Sequence, residues 1–97
     1  MDQDKEVKVD QYREEAMYEY ADKFINLANE LSKLDNSGSV GVGLRFAASR
    51  YSAFEASLQT NNLTKDKDKY LKVFENAFKN MLKINIEEYG KLQKLPK

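Results

Sequence analysis

The chain has no cysteine and no histidine, a single proline and four glycines. Without cysteine there is no disulfide framework, no thiolate nucleophile and no cysteine-ligated metal. Without histidine, the usual zinc ligand and the usual neutral-pH acid–base group are both missing. Ser-His-Asp, Cys-His and Glu-x-x-His chemistry is thereby excluded. The formal net charge is zero, which removes the broad attraction that non-specific nucleic-acid or acidic-membrane binding needs. No apolar run approaches the roughly 20 residues that span a bilayer. The opening stretch MDQDKEVKVDQ is charged throughout and has no apolar core of the kind a secretory leader carries. Together these absences lead to the expectation of a cytoplasmic protein with no cofactor, no bound metal and no membrane segment.

What is present suits a small helical domain. The chain has 97 residues, which by length is one domain spanning 1–97. Apolar residues make up 41%, enough for a globular core, and the scarcity of Gly and Pro favours long helices.

Met17, Tyr20, Phe24, Leu27, Leu31 and Leu34 recur at alternating spacings of three and four. This places them on one face of a helix expected over about 10–34. Asp10 reads as its N-cap, because a carboxylate there can accept a free first-turn N–H. Residues 1–9 are expected to fray. The stretch DNSG at 35–38 ends this helix, with Asn36 or Gly38 suited to a positive-φ C-cap.

A second helix is expected over about 40–58, with Ser39 as cap and QTNN at 59–62 as its break. A third is expected over about 65–84, starting near Thr64. Asp66 and Asp68 lie in its first turn, and Leu71, Phe74, Phe78 and Met81 form its stripe. Asn85, three residues before Glu88, resembles a capping box, which implies a kink or a short fourth helix over about 86–95. The short connections make consecutive helices antiparallel neighbours. The expected fold is therefore all-α, an antiparallel three-helix bundle with a short fourth C-terminal helix left open.

Charge is shared unevenly. Residues 1–35 hold ten acidic and five basic side chains, and residues 64–97 hold five acidic and nine basic. The outer helices are thus biased to attract one another.

The middle segment, SGSVGVGLRFAASRYSAFEASL, is the least charged. On a helical wheel Val40, Leu44, Ala47, Tyr51, Phe54 and Leu58 form one broad face. Val42, Phe46, Ser49, Ala53 and Ala56 form a second, mostly of small residues. A helix apolar on two faces needs cover on both. Either the outer helices straddle it within one chain, or the small face packs on a symmetry mate in a homodimer. Val42, Phe46, Ser49, Ala53 and Ala56 are therefore the candidate interface. Gly41 and Gly43 are read as allowing the start of this helix to pack closely on a neighbour, in preference to cradling a phosphate.

Arg45 and Arg50 lie on the flanks between these faces and are the candidate ion-pair or anion site. Interhelical ion pairs are the favoured role, with Arg50 laid along Phe46 and Phe54, four residues away on either side. Carboxylates at Glu14, Glu15, Glu19, Asp22, Glu87 and Glu88 match no metal-loop pattern and read as helix surface. The chain is not expected to be an enzyme.

FINLANEL at 24–31, AASRYSAF at 47–54 and MLKINIEEY at 81–89 resemble the signature stretches of a small helical proteobacterial family catalogued as a domain of unknown function. The resemblance implies a compact all-α bacterial protein without catalytic residues to carry over. It draws attention to Arg50, Phe54, Asn85 and Tyr89, while the acidic stretch before residue 20 falls outside it. The resulting expectation is a helical interaction module partnered by another protein or by itself. An anion- or nucleic-acid-binding role for Arg45, Arg50 and the third helix's lysines is the alternative, which the zero net charge disfavours.

Overall fold

The computed structural model describes residues 3–96, with side chains from residue 13 onward. Three helices are present: α1 (Gln3–Leu34), α2 (Ser39–Ser57) and α3 (Lys67–Gln93). No strand occurs among the described residues. Two units are distinguished, Met1–Ala48 and Ser49–Lys97, with the boundary inside α2.

In the first unit α1 begins at Gln3, so Asp10 is a helix-interior position and not the expected cap. The residues upstream explain the longer helix. Gln, Lys and Glu are good helix formers. Of the stretch expected to fray, residues 1 and 2 lie outside the described residues, and the backbone is helical from Gln3.

The turn after α1 is tightly bonded. The Asp35 N–H donates to Leu31 O at 3.1 Å and closes the helix. Asp35 Oδ1 then accepts the Ser37 N–H at 2.9 Å, and Ser37 Oγ accepts the Ser39 N–H at 3.2 Å. The hydroxyl that satisfies a first-turn amide of α2 thus comes from Ser37 and not from Ser39. Gly38 holds φ at +96°, a conformation that an L side chain strains to adopt.

The second unit contains the one buried side chain among the described residues, Ala56, which is 3% exposed. Around the elbow between α2 and α3, Ser52, Thr60, Leu63, Asp66, Tyr70 and Phe74 are half-buried. α2 ends through a tightened turn, in which the Leu58 and Gln59 N–H groups donate to Glu55 O and Ala56 O. The Ser57 hydroxyl also reaches Phe54 O at 2.6 Å. Asp66 precedes α3 as its N-cap, yet its carboxylate makes no capping bond to the helix.

α3 is one helix of 27 residues and continues through Asn85, so the structure has no separate fourth helix. The expected capping box does not form, because Asn85 Nδ2 donates to Met81 O at 2.9 Å, one turn back on the same helix. Asn85 thereby satisfies its amide while the ladder goes on past it. The last turn tightens, with the Lys94 and Leu95 N–H groups donating to Lys91 O and Leu92 O.

Candidate interaction surface

Little apolar surface is covered within the chain. Val42 is 60% exposed and Phe46 63%, both in the part of α2 that belongs to the first unit. In the second unit Ser49 and Ala53 are exposed, whereas Ala56 packs inward at the elbow. Four of the five expected interface positions therefore offer accessible area, and Ala56 offers none. The other face of α2 is also open. Leu44, Tyr51, Phe54 and Leu58 are exposed, and the Tyr51 and Phe54 rings meet in a tilted contact with centroids 5.8 Å apart.

The glycines at the start of α2 do not mark a close approach. A Cβ at Gly43 would meet nothing within 4 Å. At Gly41 its nearest neighbour would be the Arg45 guanidinium at 3.5 Å, one turn along the same helix. Arg45 therefore folds back over Gly41 toward the helix start.

Among the described residues no ion pair joins Arg45 or Arg50 to a carboxylate. Among the described residues the ion pair is Lys33–Glu30 at 3.0 Å on the exposed surface of α1. The cations lying over aromatic rings are Lys23 on Tyr20 and Lys69 on Tyr70, so Arg50 is not laid along Phe46 and Phe54. Both arginines are exposed.

Sequence reasoning did not single out the elbow. A depression of about 330 Å³ is lined by Glu55, Ala56, Gln59, Tyr70, Val73 and Phe74. Its apolar floor and polar rim are bounded by a bonded loop. The Thr60 hydroxyl donates to Asp66 Oδ2 at 2.6 Å, Thr60 Oγ1 accepts the Asn62 N–H, and Asn62 Oδ1 accepts the Lys65 N–H. The signal was the polar run QTNN itself, whose side chains bond within the loop besides ending the helix.

Asp35 is held below its ordinary carboxylate range, first by the Ser37 hydroxyl and then by the Ser37 backbone N–H. No three acidic side chains gather as a metal site among the described residues. No helix among them is long and apolar enough to cross a membrane.

These features define an all-helical protein whose apolar helix faces are largely uncovered. It belongs to the family described as Protein of unknown function (DUF3144), which matches residues 17–89. The match opens at Met17, the first residue of the α1 stripe, and closes at Tyr89 in α3. The acidic residues before Met17 lie outside it. No curated protein and no solved structure matches the chain.

Proposed function

We propose that this protein is a non-enzymatic helical association module of the cytoplasm, which pairs with a second copy of itself through α2. The observation that carries the reading is the exposure of Val42 and Phe46 on a helix with almost no charge. A helix draws most of its stability from covering an apolar face. Covering about half of a Phe and a Val recovers on the order of 1–2 kcal/mol each at about 25 cal/mol per Å². The antiparallel bundle expected from the short connections is then completed in the assembled form.

Light scattering on the purified chain tests this. The expected mass is twice the 11.2 kDa of one chain, and Phe46→Ser shifts it to one. A wild-type chain that stays monomeric at all concentrations and unfolds cooperatively would sink the reading.

A second reading is favoured by the absence of a carboxylate beside Arg45 and Arg50 among the described residues. In it these two arginines and the α3 lysines hold an anionic partner such as nucleic acid. It predicts retention on nucleic acid that falls with salt and is lost in the Arg45→Ala, Arg50→Ala double variant. Flow-through at low salt eliminates it.

A further inference from the structure

The α1 stripe is exposed along its length. Met17, Phe24 and Leu31 repeat every seven residues, as do Tyr20, Leu27 and Leu34, and all six are open in the chain. α3 carries a second seam of the same kind, in which Leu71, Phe78, Asn85 and Leu92 repeat every seven residues and Met81 lies beside them. Alternating spacings of three and four are what one helix needs to seat its knobs in another's holes.

We propose that the α3 seam is covered by α1 of a second copy, running parallel to it, in a reciprocal exchange that makes both contacts of a two-fold dimer. This rests on the self-association reading and adds a second contact, between α1 and α3, to the one through α2. Charge selects the occupant. The stretch before residue 36 has ten acidic against five basic side chains, and the stretch from 64 onward five against nine. Pairing α1 with α1, or α3 with α3, sets like charge against like, whereas α1 on α3 sets opposite against opposite.

Charge also sets the direction. α1 is acidic early, at Glu14, Glu15, Glu19 and Asp22, and carries Lys33 in its last turn. α3 begins with Lys67, Lys69 and Lys72 around a single Asp68, and carries Glu87 and Glu88 ahead of Lys91 in its last turn. The two gradients complement each other better in the parallel sense, with Phe24 level with Phe78 and Lys33 level with Glu87.

The area is sufficient. The six open side chains of the α1 seam and the four apolar ones of the α3 seam together represent about 1,000 Å² per copy, given that a covered aromatic removes about 150–250 Å². A pair of copies then buries about 2,000 Å², the upper part of the range for stable specific interfaces.

The absence of native cysteine makes the test clean. Leu27→Cys and Met81→Cys chains with different tags are unfolded together, refolded and oxidised, after circular dichroism shows each as helical as the parent. The mixed disulfide is expected as the main covalent dimer, with each variant alone staying uncrosslinked. A second pair, Asn26→Cys and Asn80→Cys, placed off the seams and labelled with donor and acceptor dyes, is expected to transfer energy strongly only in the mixture. A dimer by light scattering that yields only same-variant disulfides, or none, overturns the α1–α3 pairing and leaves self-association standing. A monomer throughout overturns both. An intramolecular disulfide in the Leu27→Cys, Met81→Cys double variant, without mixed dimers from the single variants, assigns the contact to one chain and also overturns the proposal.

Discussion

The Thr60 hydroxyl donates a 2.6 Å hydrogen bond to Asp66 Oδ2 and ties the end of α2 to the start of α3. Both residues are half-buried beside Ala56, the best-packed position among the described residues. Asp66 gives its backbone carbonyl to the Tyr70 N–H and its side chain to Thr60, so one residue serves the helix and the loop together. A bond to a charged acceptor contributes about 1.5–3 kcal/mol. Thr60→Val, which keeps the shape and removes the donor, is expected to destabilise the fold by about that amount in chemical denaturation. Asp66→Asn should lose less, and the double variant should lose less than the sum, because both changes remove one interaction. Strict additivity in that cycle would show that the two side chains do not act as a pair in solution.

Glycine substitutions should separate by sign. Gly38 sits at φ +96°, so Gly38→Ala is expected to destabilise the α1–α2 turn by about 1 kcal/mol or more. Gly43 and Gly90 lie inside helices and have open space where a Cβ would point. Gly43→Ala and Gly90→Ala are each expected to stabilise by about 0.5–1 kcal/mol. Thermal melts of the three variants give the answer. A loss of stability at Gly43 would place another surface against the start of α2.

Asp35 makes the α1–α2 turn sensitive to acid. Its folded-state pKa is depressed by the Ser37 hydroxyl and backbone N–H, so the unfolded chain holds the proton more tightly. The contribution is therefore present above the ordinary carboxylate value and disappears as pH falls through the lower folded value. The group is fully exposed, so the effect is local to the turn. Amide exchange at Ser37 and Ser39 should accelerate below the ordinary carboxylate range, and Asp35→Asn should remove that pH dependence. Exchange that is independent of pH in the parent, after correction for intrinsic chemistry, would count against the turn geometry.

How much of this was legible in the sequence depended on how local each signal was. The limits of α2 followed from Gly38 and from the polar run after Leu58, which act on the chain beside them. The stripe from Met17 to Leu34 likewise marked α1 without reference to anything distant. Asp10 and Asn85 were misread for a common reason. Each is a good cap by type, but a cap is realised only where the helix ends, and good helix formers precede Asp10 while apolar residues continue past Asn85. Whether Arg45 and Arg50 meet a carboxylate depends on another element, which spacing along α2 does not specify. The Thr60–Asp66 bond joins two loop positions through a fold-back that no periodic pattern announces. Ala56 read as one of five equivalent small residues, and its burial depends on the chain turning back at the elbow.

Asn85 gives the sharpest test of which face of α3 matters. It lies seven residues after Phe78 and seven before Leu92, in the middle of the apolar seam, and bonds its own helix through Met81 O. A polar side chain at such a position lowers the stability of an association and fixes its register. Asn85→Leu is therefore expected to stabilise the assembled protein by about 1.5–3 kcal/mol, the value of burying one Leu. It should also broaden the distribution of assembled species, since apolar pairing alone tolerates shifted registers. Both effects are read together, from denaturation midpoints at two protein concentrations and from sedimentation velocity. If that face of α3 stays in water, the same substitution changes stability by no more than about 0.5 kcal/mol and leaves the sedimentation profile unaltered, an outcome that removes α3 from the interface.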